Sequence, residues 1–307
     1  MIEISAPGKL ILCGEHAVVY GKKALACATN LRTHLKAQKT INITYFIINF
    51  NDINEILTID KNQFNTYSNV RLNDDDERNN SIYTKSLKPI ILMFNLLQNE
   101  LTWQHLSGMH IEIHSQIPVG AGLGSSAALA ACLAAFFLKL LNKSNDLVLV
   151  NECAFQIEKL FHGRPSGIDN SVAIYGGFVL YENGQIGKKF VSNDIRVLVV
   201  DTGVPKDTKQ QVANVRKLYE RHMNVCECLM NGIDGLVDKF VKLLDVDKQS
   251  ERDETVRIAL LEHPSCTVYV FFTIFIVLSI LKHLKSFLTV INALRKLFRQ
   301  KSVPKCF

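Results

Sequence analysis

Apolar and polar residues alternate from Met109 to His114, with Met109, Ile111 and Ile113 on one side and His110, Glu112 and His114 on the other. A period of two predicts a strand with one wet face; a His-x-Glu-x-His metal site is the lesser reading of the same residues. From Ser125 the pattern changes. Six alanines between Ala127 and Ala135 predict a helix, with Ser125 or Ser126 at its start. A second helix is expected from Asp146 to His162, stopped by Gly163. On it Val150, Cys153, Ala154, Ile157, Leu160 and Phe161 form an apolar stripe, and at about 100° per residue Glu158 falls on its margin. A carboxylate there needs an Arg or a cation as partner, and a plain salt bridge is the simpler choice.

Elsewhere the pattern is shorter-ranged. Ile2–Ser5 reads as a strand broken by Pro7-Gly8, resuming over Leu10–Cys13. Residues 39–80 read as strands and surface loops, with Asn73–Asn80 a solvated charged loop. Ser81–Gln98 suits a helix bent or interrupted at Pro89. Gly177–Ile186 looks like a hairpin turned at Asn183-Gly184. Arg196–Asp201 reads as a buried strand, and the chain beyond Asp207 as mostly helical to Glu262. A domain boundary is expected near 186–206.

Composition adds one asymmetry. The 307 residues carry 35 Lys+Arg against 29 Asp+Glu, a net +6. Yet Thr267–Phe307 holds seven basic residues and no acidic one, leaving 28 against 29 before it. The last of 16 glycines is Gly235. The 48% hydrophobic content excludes a wholly disordered, collagenous or coiled-coil chain. Eight cysteines without a CxxC pair, and no signal peptide, fit thiols in a cytoplasmic setting.

Three segments carry chemistry. Pro118–Ala128 (PVGAGLGSSAA) spaces Gly120, Gly122 and Gly124 so that backbone amides and the following helix start can hold an anion. Taken alone it also fits a flexible glycine turn capped by serine. It is neither a Walker A loop nor GxGxxG with an acidic ribose partner. His162–Asn170 (HGRPSGIDN) is a rigid turn that delivers Asp169. Ser5–Gly21 (SAPGKLILCGEHAVVYG) presents Lys9 after Pro-Gly and Glu15-His16 after Gly14.

Together, in this order, the three segments resemble the GHMP kinases, and within them the mevalonate kinase branch. The resemblance is strong over residues 1–36 and 107–182 and is not traceable beyond about 263. It implies an α+β, two-domain fold, with 1–195 the N-terminal ATP-binding domain, 196–266 a partial C-terminal domain and 267–307 an atypical apolar and basic tail. It implies ATP-dependent phosphorylation of the mevalonate C5 hydroxyl, in isoprenoid and sterol precursor synthesis. Asp169 would be the base, and Lys9 would stabilise the alkoxide or transferring phosphoryl. Ser126 and Glu158 would hold Mg²⁺. Ser115, Gly120, Ala121, Gly122, Leu123, Gly124, Ser125 and Ser126, with Lys9, would surround ATP. His16, Glu15, Ser166, Asp169 and Thr208 would face mevalonate. No nucleic acid is implied, and a homodimer is compatible with the family.

The chain departs from the family in one motif. GHMP kinases carry a glycine-rich run in the C-terminal domain, and no glycine follows Gly235 here. Instead Thr267–Leu281 is uncharged, about 22 Å as a helix against a 30 Å hydrocarbon core. Leu281, Leu284, Leu288, Ile291, Leu294 and Phe298 then recur at helical spacing among basic residues. Two readings stay open: an amphipathic basic helix for an acidic membrane surface, or a translated segment foreign to the gene's proper coding sequence. The latter would leave a catalytically impaired relative.

Overall fold

The computed structural model describes residues 1–70, 72, 83–163, 165–182, 185–190 and 208–245, with side chains omitted at 188–190, 208–212, 243 and 245. The charged loop at 73–80, the strand expected at 196–201, the Asn183-Gly184 turn, Arg164 and the tail at 267–307 lie outside them. By contacts the described chain falls into two units, one up to Asp234 and one from Gly235.

A seven-stranded sheet organises the first unit. Its strands are β1 (Ile2–Cys13), β2 (Ala24–Lys39), β3 (Phe46–Phe50), β4 (Glu55–Ile59), β5 (Met109–Ser115), β6 (Phe178–Glu182) and β7 (Gln185–Phe190). The long β2 pairs antiparallel with β1 along one edge; along the other it meets β5 over Thr33–Lys39 and β6 over Ala24–Cys27. Parallel β3 joins β5, and β4 closes that side. The expected alternation holds: Met109, Ile111 and Ile113 are buried, while Glu112 and His114 are exposed. The two arms of the hairpin also hold, since β6 and β7 pair antiparallel from Phe178 with Phe190 to Glu182 with Gln185.

Helices α1 (Lys61–Tyr67), α2 (Leu87–Leu96), α3 (Trp103–Leu106), α4 (Ser125–Leu140), α5 (Leu147–His162) and α6 (Ile168–Tyr175) follow, then α7 (Thr208–Arg221) and α8 (Met223–Asp245). The alanines of α4 put no bulk between it and its neighbours, so it packs against β1, β2, α5 and α6. Phe46, Phe94, Phe136 and Phe137 fill the core beside it, with Phe136 and Phe137 edge to face at 5.2 Å. Truncating one such ring to alanine costs about 3–5 kcal/mol. A smaller cluster of Ala24, Ala26, Ile168, Val172, Val179 and Tyr181 fixes α6 to the sheet.

Four local expectations are corrected. Pro7-Gly8 does not end the first strand; β1 runs through it with a register shift between Pro7 and Lys9. Residues 39–80 contain a helix, α1, because Asp60 and Gln63 form a capping box. Pro89 neither bends nor interrupts α2. It sits third in the helix, where its missing N–H has no intrahelical acceptor to lose. Neither Ser125 nor Ser126 caps α4; its N-cap is Gly124 in the left-handed region, without a side-chain hydrogen bond.

The six described cysteines are free thiols. Burial pushes the Cys132 thiol up to about 12. Among the described residues no helix is long and apolar enough to cross a membrane.

Candidate active site

The bulge in β1 has a partner far along the chain. The Lys9 amide donates to the Leu123 carbonyl at 2.8 Å, stitching β1 to the glycine loop. A Cβ on Gly8 would stand 2.8 Å from that same oxygen, so only glycine permits the approach. Gly120, Gly122 and Gly124 take φ of 77°, 77° and 74°, which glycine adopts without strain. The loop thus enters α4 through a left-handed residue, and a helix start of this kind offers backbone amides to an anion.

Lys9 is 8% exposed and points its ammonium at Asp169, with Nζ 3.0 Å from Oδ1. Asp169 lies in the first turn of α6, behind Gly167 at φ 84°. The turn before it is anchored by Tyr181, whose hydroxyl donates to the Ser166 carbonyl. The side chain of Ser166 is exposed.

Glu158 is 1% exposed, and its Oε1 has no hydrogen-bond partner. Burial pushes its carboxyl up to about 7; a hydrogen bond from Ser126 opposes the shift, the Asp169 charge adds to it and Lys9 opposes it. Ser126 Oγ also lies 3.0 Å from His162 Nε2, and that nitrogen is 3.8 Å from Glu158 Oε2. Among the described residues no Arg or Lys lies within ion-pair distance of Glu158, and its basic neighbour is His162. A buried, orphaned carboxylate oxygen beside a serine hydroxyl suits a hard divalent cation that takes its other ligands from water and phosphate.

Residues 88–177 match the GHMP kinases N terminal domain, a span that includes the glycine loop, Glu158 and Asp169. Across the chain the similarity is more specific. The mevalonate kinase of Thermococcus sibiricus is 35% identical over 250 residues, covering 80% of this chain and 71% of that protein. The human mevalonate kinase is 32% identical over 268 residues, covering 76% and 67%. The chain belongs to the mevalonate kinase family. Among solved structures, the Methanococcus jannaschii mevalonate kinase superposes with a TM-score of 0.62 at 23% identity, covering 86% of this chain and 80% of that one. The L. major mevalonate kinase, solved in complex with R-mevalonate, gives 0.54 at 22% identity, with coverage of 80% and 69%. Both share the fold, and the α+β class expected from the sequence stands with them.

For a mevalonate kinase family member, the expected site residues fall into a gathered group and an outlying one. Lys9, Gly124, Ser126, Glu158 and Asp169 come together, and Gly120, Ala121, Gly122, Leu123 and Ser125 complete the loop and helix start. Ser115 lies where β5 feeds the loop; its hydroxyl meets Thr33 Oγ1 at 2.8 Å and Asp52 accepts its amide. Glu15 and His16 occupy the turn after β1, His16 capping a short 3-10 turn at Ala17–Tyr20. Among the described residues no hydrogen bond or ion pair joins either side chain to the Lys9–Asp169 group. Thr208 opens α7, and its side chain lies outside the described residues. His162 received no role from sequence, although its i,i+4 spacing from Glu158 was visible.

Proposed function

We propose that this chain catalyses ATP-dependent phosphorylation of the mevalonate C5 hydroxyl, with Asp169 as the base and Lys9 as its electrostatic partner. The observation that carries the reading is the Lys9–Asp169 pair, set beside a glycine loop that Lys9 itself helps to hold. Phosphoryl transfer asks for alignment and charge stabilisation more than covalent chemistry, and these residues supply both. Asp169 takes the hydroxyl proton, the C5 oxygen bonds to the γ-phosphorus, and the bond from that phosphorus to the β,γ-bridging oxygen breaks to release ADP. Lys9 offsets the charge that builds on the attacking oxygen and transferring phosphoryl. The loop from Gly120 to Ser126 wraps the triphosphate, with Ser115 on the nucleotide side. His16, Glu15, Ser166 and Thr208 line the mevalonate side.

Ser126 and Glu158 would hold Mg²⁺, which when bound neutralises phosphate charge. Glu158 is then ionised, the cation offsetting its burial. In this reading residues 1–195 form the ATP-binding domain, 196–266 part of a second domain, and 267–307 a tail outside the chemistry. The protein works in the cytoplasm, and its product feeds isoprenoid and sterol precursor synthesis.

The test is the purified chain with ATP, Mg²⁺ and mevalonate, reading ADP release. Turnover well above an Asp169→Ala control is expected. Equal rates in the two would reject the activity for this chain. Substituting phosphomevalonate and galactose checks the substrate assignment.

A further inference from the structure

We propose that His162 is a positioning residue that aims the Ser126 hydroxyl, and with it the free oxygen of Glu158, at a shared cation. The proposal rests on reading Ser126 and Glu158 as the cation ligands. Ser126 Oγ has one proton and two lone pairs. In this assignment the hydroxyl proton is given to the neighbouring Glu158 carboxylate, and one lone pair accepts from His162 Nε2, 3.0 Å away, in the tautomer that carries its hydrogen there. A single lone pair is left, and the hydroxyl can no longer rotate freely. Glu158 Oε1 is likewise left without a partner.

Serine thus retains one lone pair, and Glu158 an Oε1 that no protein group occupies. His162 ends α5 one turn beyond Glu158, so the same helix presents the ligand and the group that orients its neighbour. At 3.8 Å, Nε2 is too far from Glu158 Oε2 for a hydrogen bond, so its directional contact is with Ser126. An imidazole donor is also poorly suited to ligating Mg²⁺ directly, because that cation prefers oxygen. The residue acts through Ser126. Its side chain is 53% exposed, so replacing it leaves the core intact. Groups in this orienting position usually change metal affinity about 10–100-fold when removed.

The experiment compares wild type, His162→Ala, His162→Gln and Glu158→Gln as full chains with ATP bound. Mn²⁺ affinity is read by electron paramagnetic resonance, alongside the Mg²⁺ concentration for half-maximal turnover. Circular dichroism confirms that each variant folds. His162→Ala is expected to weaken cation binding about tenfold or more with KM for mevalonate unchanged. His162→Gln, whose amide N–H can replace the Nε2 donor, should recover most of the loss. Cation affinity of His162→Ala within twofold of wild type, while Glu158→Gln loses it, would overturn the proposal alone. Equal losses in the Ala and Gln variants would overturn the hydrogen-bond role. An unchanged affinity in Glu158→Gln would remove the ligand reading and the proposal with it.

Discussion

Lys9 and Asp169, on the first strand and on α6, meet with Nζ 3.0 Å from Oδ1. The lysine is almost enclosed, while the aspartate is one-third exposed and so open to a reactant. Neither residue is free to drift: the Lys9 amide is bonded to Leu123, and Gly167 fixes the turn before Asp169. A base must be placed before substrate arrives, and in the proposed reaction these contacts do that for Asp169.

Removing either charge should therefore act on turnover rather than on nucleotide binding. Asp169→Ala and Lys9→Met are expected to lower kcat by about 10²–10⁴, with KM for ATP changed only a few-fold. ADP release and thermal melting, measured together, check this. An Asp169→Ala variant that keeps a tenth of the wild-type rate would contradict its assignment as base.

Gly124 and Gly176 both have positive φ, at 74° and 65°, so alanine is strained at either. Each substitution should cost about 1–3 kcal/mol of stability. Only Gly124 has a steric neighbour, because its added Cβ would lie 2.7 Å from Lys9 Cγ, whereas nothing lies within 4 Å at Gly176. Gly124→Ala is thus expected to lose most turnover and Gly176→Ala to keep it at 25 °C. Matched losses of stability with equal rates would show that the Lys9 contact is unimportant.

This difference marks what the sequence could and could not show. Short-period features were legible: the β5 alternation, the Glu158 angle and the Glu182–Gln185 hairpin each depend on neighbours within one element. Pro7-Gly8 was misread because its local turn chemistry says nothing of Leu123, whose carbonyl converts a break into a bulge. Ser125 opens α4 but does not cap it, because Gly124 holds the cap position in the left-handed region, against Lys9, 115 positions away. His162 was overlooked for the same reason. Its partner Ser126 lies 36 positions away on another helix.

The turn beside His16 is held from a distance too. Tyr20 stacks on Tyr219 of α7 at 4.5 Å, and the Lys23 amide donates to Asp234 of α8 at 2.7 Å. Both contacts hold the C-terminal end of Ala17–Tyr20, the short turn that His16 opens. Tyr219→Ala should raise KM for mevalonate several-fold, with KM for ATP unchanged. Tyr219→Phe keeps the ring and should behave as wild type. Steady-state kinetics with each substrate varied in turn would show it, and equal rises in both KM values would count against it.

Glu158 gives the protein a pH dependence whose sign is fixed. Burial raises its carboxyl from 4.5 to about 7 in the folded chain. Below about pH 4.5 the group is protonated whether folded or not. As pH climbs towards 7 the unfolded chain releases that proton while the folded one retains it, so stability falls across this window. At 1.36 kcal/mol per unit the loss is at most about 3 kcal/mol. Glutamine cannot ionise, so Glu158→Gln should gain on wild type by about 1–3 kcal/mol between pH 5 and pH 8, without nucleotide or metal. Saturating Mg²⁺ and ATP should reverse this gain at pH 8, since the cation then favours the ionised form that glutamine lacks. Urea melts at pH 5 and pH 8, with and without Mg²⁺ and ATP, measure all four differences. A Glu158→Gln variant that tracks wild type at both pH values would mean that the buried carboxyl is not the source of the dependence.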